Sequence, residues 1–158
     1  MARILVQTED FDVGTEIAAL THGCTDIGGV GCFVGTVRDD RLGRPLTALC
    51  LEHYPAMTER AIARIVAEAE RRWPLLGCTV IHRVGRLVPG ANIVLVVAAS
   101  AHRQAALDSV AFLIDWLKTK APFWKKEQFA SGHEAWVEAR DTDDTAAARW
   151  LETRRRAE

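Results

Sequence analysis

The chain lacks any apolar run long enough for a membrane helix. Its longest, Ile93 to Ala99, ends at Ser100, well short of the ~18 residues that a span requires. It lacks a signal-peptide core as well, because the short apolar run near Met1 meets Glu9 and Asp10, and the cytoplasm is the expected compartment. Excess charge of one sign is missing: 20 Lys and Arg face 21 Asp and Glu, and only 7% of residues are aromatic. The composition has neither the electrostatic footprint nor the stacking platforms of a nucleic-acid binder, so any basic site must be local. No two of the four cysteines, Cys24, Cys32, Cys50 and Cys78, form a CxxC pair. They are read as buried, reduced thiols that pack as small hydrophobes.

Familiar chemical motifs are absent too. Gly29 to Gly35 spells GxGxxxG, one residue too long for a dinucleotide fingerprint, and it continues as a strand where that motif needs a helix. There is no GxxxxGKS/T, HExxH or GxSxG, and His53 and His82 sit in separate strands without metal-ligand spacing. No metal site is expected, and both histidines are read as structural.

What the chain does have is a globular balance, 49% hydrophobic and 26% charged, in a length that suits a single domain over 1–158. Residues 2–7 read as an opening strand, and Asp12 caps a short helix that stops near Gly23. Ile27 to Arg38 reads as a strand whose Gly28, Gly29, Gly31 and Gly35 signal bends or the close approach of another backbone. Asp39 to Pro45 is a turn, and Leu42-Gly43-Arg44 within it predicts an antiparallel hairpin to a strand over Leu46 to Tyr54. Pro55 opens a helix in which Ile62, Ile65, Val66, Ala69 and Trp73 recur every three or four residues before Pro74.

Strands over Cys78 to Leu87 and Asn92 to Ala99 flank the turn Val88-Pro89-Gly90. Ser100 then caps a helix from about Ala101 to Lys120, with Leu107, Val110, Ala111, Ile114 and Leu117 on one face and Pro122 beyond its end. A last hairpin, Phe123 to Phe129 and Glu134 to Glu138, turns at Ser131-Gly132, and Asp141 to Glu158 reads as a charged helix fraying at Arg154 to Arg156. Helices alternating with hairpins imply an α+β domain with antiparallel sheet, since short hairpin loops cannot make parallel crossovers.

Basic residues gather at the ends of these elements, where a rigid scaffold holds its chemistry. Ser100-Ala101-His102-Arg103 joins a buried strand to a helix start. Cations there oppose the helix dipole unless an anion compensates, which points to phosphate. Lys118, Lys120, Lys125 and Lys126 surround a Pro-terminated helix end with Phe123 and Trp124. Lys118 follows the apolar stripe, so its stem is expected to run along protein surface, and partial burial would depress its pKa for acid–base or nucleophilic work. Arg38, ending the Gly-rich strand, has the planar fork that clamps phosphate. These residues by themselves imply a small-anion site with lysine chemistry and name no substrate.

The sequence resembles the large, catalytic subunit family of molybdopterin synthase. The resemblance rests on Phe33-Val-Gly35-Thr-Val-Arg38, Leu51-Glu-His-Tyr-Pro55-Ala-Met57-Thr-Glu59, Val80-Ile-His82-Arg-Val-Gly85-Arg-Leu and Ser100-Ala-His102-Arg103. It continues through Leu117-Lys118-Thr-Lys120-Ala-Pro122-Phe-Trp124-Lys125-Lys126-Glu127 and Trp136-Val-Glu138-Ala-Arg140. It implies an α/β-hammerhead domain with an added antiparallel sheet. The implied reaction delivers two sulfurs to a cyclic pyranopterin monophosphate from the C-terminal Gly-Gly thiocarboxylate of a small ubiquitin-like carrier, with no cofactor. The implied assembly is a central homodimer of large subunits within a heterotetramer.

By the same resemblance Lys118 and Lys125 match the catalytic lysines, and Arg38, His102 and Arg103 the residues that hold the pterin phosphate. The resemblance further implies that Thr36, Val37, Lys126 and Glu127 line the same site. The competing expectation is a noncatalytic adaptor that binds a ubiquitin-like tail or a phosphorylated ligand without turning it over.

Overall fold

The computed structural model describes residues 2–137 and 141–156. The elements run β1 (Ala2–Gln7), α1 (Val13–Thr21), β2 (Gly29–Thr36), β3 (Asp40–Arg41), β4 (Arg44–His53), α2 (Pro55–Arg72), β5 (Leu75–Arg83), β6 (Gly85–Leu87), β7 (Asn92–Ser100), α3 (Arg103–Lys120), β8 (Phe123–Phe129), β9 (Glu134–Trp136) and α4 (Asp141–Arg156). No helix among the described residues is long and apolar enough to cross a membrane.

The larger sheet has the order β1-β5-β7-β2. One face buries Val80, Val96 and Ala98 with Ile62 and Val66 of α2 and Phe112 and Leu113 of α3. The other buries Ile81, Leu95 and Val97 under Val13, Ile17 and Leu20 of α1. Cover on both faces is why β7 is almost wholly apolar instead of alternating. β2 lies against α3 because its glycines leave room: a Cβ on Gly31 would stand 2.7 Å from Ala106 O, and one on Gly28 would collide with Ala101 O. The expected close backbone approach is thus realised by α3.

The smaller sheet runs β3-β4-β8-β9, with β6 also paired to β4. Val37, Leu51, Val84 and Leu87 form its core. α4 packs on α3, where Asp115 Oδ2 accepts hydrogen bonds from Arg149 Nη2 and Trp150 Nε1, each at 2.8 Å. The helix continues through 154–156, where the sequence predicts fraying.

The α+β class holds, with several local corrections. β1 and β5 pair in parallel; they are distant in the chain, so the hairpin argument does not govern them. β2 pairs antiparallel with β7, not with β4. The expected hairpin is instead the short β3–β4 ribbon, turned by Leu42 at φ 54° and Gly43 at φ 75°, two successive left-handed residues as a two-residue hairpin turn requires.

The strand expected over Cys78 to Leu87 begins at Leu75 and breaks after Arg83. Gly85, at φ 90°, starts β6, which crosses to the smaller sheet. Ser100 does not cap α3 but ends β7 with its Oγ donating to Pro74 O at 2.9 Å; His102 is the N-cap. Leu107 is exposed, and the buried face of α3 is Ala106, Ser109, Val110, Phe112, Leu113 and Leu117.

All four cysteines are free, but only Cys78 is buried, its thiol pushed up to about 12 by that burial. Cys24 and Cys32 are exposed and Cys50 is half-buried. Cys32 stands on an edge strand beside Gly31, whose α-carbon faces α3, so strand alternation turns the thiol away from the helix. The last strand ends at Trp136, and Glu138 to Arg140 lie outside the described residues.

Candidate active site

The seam between the two sheets is where the ends of β2 and α3 meet one face of β8. Pro122 stops α3 one turn after Lys118 and sends the chain into β8. Strand alternation then puts Phe123, Lys125 and Glu127 on the side of the seam. At the end of β2, the Val37 N–H donates to Ala91 O at 2.9 Å and Val37 O accepts from the Gly90 N–H at 2.8 Å. That clasp holds the following residue, Arg38, at the rim.

The seam encloses two adjoining lobes that share Thr36, Arg38, Ile93, Lys118, Phe123 and Lys125. The first, about 360 Å³, is also lined by Val37, Arg41, Glu127 and Asp143. The second, about 350 Å³, is lined further by Phe33, His82, Ile114 and Leu117. Three cations from three segments therefore bound one cavity. Such a wall has the charge to hold an anionic guest, and partial exclusion of water strengthens each attraction.

Lys118 is exposed, so the burial expected of it falls on Lys125 instead. Burial, then the neighbouring Lys118 charge, and more weakly Arg41, hold the Lys125 ammonium below its ordinary range; Asp143 opposes them. Glu127 is 6% exposed. Its Oε1 lies 3.6 Å from Arg41 Nη1, and its Oε2 is buried with no hydrogen-bond partner among the described residues. An acceptor left open in a cavity wall is a place for a guest's donor.

Thr36, Val37, Arg38, Lys118, Lys125 and Glu127 are thus brought together. Lys126 is not: it lies on the opposite face of β8, 3.4 Å from Glu134 Oε2 and over the Trp136 ring. His102 and Arg103 are exposed at the start of α3, the far end of an 18-residue helix about 27 Å long at ~1.5 Å per residue.

Sequence reasoning missed Arg41, read as part of a turn, His82, read as structural, and Asp143, read as part of a charged tail. A signal existed for His82. Cys78, Val80 and His82 alternate onto the face of β5 covered by α2 and α3, so a histidine is carried into the interior at the strand's end.

Fold and cavity together define an α+β protein with a basic cleft suited to an anionic small molecule. Residues 6–120 match the family model described as MoaE protein. The chain is 59% identical over 148 residues to the molybdopterin synthase catalytic subunit of Mesorhizobium japonicum, covering 93% of this chain and 92% of that one. The solved molybdopterin biosynthesis MoaE protein of Burkholderia ambifaria superposes with a TM-score of 0.80 at 53% identity, over 95% of this chain and 98% of that one. A second solved structure is a complex of subunits 1 and 2 of the molybdopterin-converting factor of Helicobacter pylori. It shares the fold at 20% identity and a TM-score of 0.69, over 88% of this chain and 91% of that one. The chain belongs to the MoaE family of molybdopterin synthase catalytic subunits, enzymes of molybdenum cofactor biosynthesis.

Proposed function

We propose that this chain is a sulfurtransferase that converts a cyclic pyranopterin monophosphate to the dithiolene-bearing molybdopterin. It draws each sulfur from the C-terminal thiocarboxylate of a small ubiquitin-like carrier whose tail enters the cavity. The observation that carries the reading is the meeting of Arg38, Lys118 and Lys125 around one two-lobed cavity. A thiocarboxylate and a phosphate repel each other, and bringing them together without a metal takes several cations in a water-poor pocket. The Helicobacter pylori structure of the same fold, a complex of two converting-factor subunits, is consistent with a second-subunit partner.

In this reading exposed Lys118 meets the carrier's terminal carbonyl, and Arg38 clamps the phosphate. Lys125, whose ammonium is disfavoured by burial and by Lys118, positions the substrate and exchanges a proton during sulfur addition. Thr36, Val37 and Glu127 shape the same wall. His102 and Arg103 stand too far along α3 to reach their own chain's cavity, so they serve the phosphate from the second copy in a homodimer, two carriers completing a heterotetramer. Lys126 supports the site from behind β8.

The experiment is to mix the purified chain with thiocarboxylated carrier and cyclic pyranopterin monophosphate and follow the dithiolene product. Turnover that depends on both partners is expected. Binding of either partner without product overturns the enzymatic reading in favour of an adaptor.

A further inference from the structure

The second lobe is apolar over much of its wall, where Phe33, Val94, Ile114 and Leu117 meet. His82 is built into it at the end of β5, only 6% exposed. Its ring lies flat against Phe123, with centroids 3.8 Å apart and planes at 16°. Its Nδ1 is 2.8 Å from Arg83 O. A carbonyl oxygen only accepts, so Nδ1 carries the hydrogen and the neutral ring keeps a bare lone pair on Nε2. No group among the described residues hydrogen-bonds to that nitrogen. Burial above all, with the charges of Lys125, His53 and Lys118, pushes the imidazolium down to about 4, so the lone pair is available at neutral pH. The charged groups that share the lobe, Arg38, Lys118 and Lys125, can only donate.

We propose that His82 Nε2 is a substrate-binding acceptor that takes a hydrogen bond from a ring N–H of a flat heterocycle seated in the second lobe. The heterocycle's phosphate then lies among Arg38, Lys118 and Lys125. This rests on the reading of the guest as a pyranopterin phosphate and deepens it by giving the ring an orientation. A recess with apolar walls and a few convergent polar groups fixes how a ligand enters. At neutral pH a thiocarboxylate has no hydrogen to offer and a phosphate little or none, so neither anionic end is the partner. A Gly-Gly tail has no side chains to fill a lobe of about 350 Å³, whereas a fused heterocycle offers flat faces to Phe33 and Phe123 and donors along its edge.

Two amide substitutions separate the ring nitrogens. His82→Asn places its amide near the Nδ1 position, keeping the Arg83 contact and deleting the acceptor; His82→Gln places a carbonyl oxygen near the position of Nε2. Direct titration with cyclic pyranopterin monophosphate is expected to show ~10-fold or greater loss of affinity in H82N and recovery of most of it in H82Q. KM for the thiocarboxylated carrier is expected to stay put in both. Thermal melting reports folding, and H82F, which keeps the stack on Phe123, replaces H82N if that variant is unfolded.

Wild-type affinity in H82N overturns the assignment. So does equal loss in folded H82N and H82Q, or a change confined to the carrier's KM. Failure of the wild type itself to bind the pterin phosphate overturns the functional reading, and the ring orientation with it.

Discussion

Arg103 and Lys118 occupy opposite ends of α3, the first residue and the last turn of one 18-residue helix. In the proposed reading, a cavity that uses both must therefore draw them from different chains. Mixing two inactive proteins tests this. In the proposed homodimer the Lys118→Ala and Arg103→Ala proteins each carry two defective cavities, but a mixed dimer carries one cavity with both residues intact. After subunit exchange, about a quarter of wild-type activity is expected to return, because half the dimers are mixed and half of their sites are whole. Steady-state assay of the two proteins alone and after exchange decides it. No recovery, with exchange verified, places the two residues in unrelated functions.

Lys125 differs from Lys118 in being half-buried, and its lowered ammonium is the property that suits proton exchange. Lys125→Ala is expected to lower kcat by ~10²-fold or more. Lys125→Arg keeps the charge but cannot release its proton, so it is expected to spare KM for the pterin phosphate and lose kcat. The Asp143 carboxylate raises the Lys125 pKa against the other influences. Asp143→Asn should therefore move the Lys125 inflection in the rate profile to lower pH. An unmoved inflection would assign it to another group.

Gly31 is fixed by packing rather than by backbone freedom. Its missing Cβ would meet Ala106 O at 2.7 Å and Val110 Cγ2 at 3.1 Å. Gly31→Ala has to push α3 off the sheet and is expected to cost about 1–3 kcal/mol, read as a lowered urea midpoint. Gly43→Ala is different in kind: nothing lies within 4 Å of its Cβ, but φ is 75°, so its smaller loss arises from the turn.

The elements were legible where local chemistry decides them. The stripe from Ile62 to Ala69 gives α2, and the glycines of β2 announce a close neighbour. What pairs with β2 was not legible, because the hairpin signal at Leu42-Gly43 is local and is satisfied by the two residues of β3. The choice of β7 depends on packing far along the chain. At the site, Arg38, Lys118 and Lys125 were readable as basic groups at element ends. Period-two alternation along β8 already separates Lys125 from Lys126, since neighbouring strand residues face opposite ways. Arg41 and Asp143 carried no such sign; only the tertiary fold brings a turn and the C-terminal helix to the same wall.

His82 also makes a prediction about stability that needs no substrate. Its folded pKa is about 4 against 6.5 in the unfolded chain. Between those values the unfolded chain binds the extra proton, so stability rises with pH across the window and falls as the pH drops from 6.5 toward 4. Burial is the main cause, because charging the ring inside the lobe forfeits its hydration, and Lys125, His53 and Lys118 add repulsion. At roughly 1.4 kcal/mol per pH unit the loss amounts to about 3 kcal/mol, with nothing further lost to this group below pH ~4. His82→Phe keeps a flat ring on Phe123 and has no proton to bind. Its unfolding free energy, measured in urea, should therefore decline less between pH 7 and pH 4 than that of the wild type, by that amount. Carboxylates such as Glu68, held at about 2 by Arg71 and Arg72, contribute equally to both proteins and cancel in the difference. Parallel pH dependences in the two proteins would mean that the ring titrates in solvent, outside the wall of the lobe.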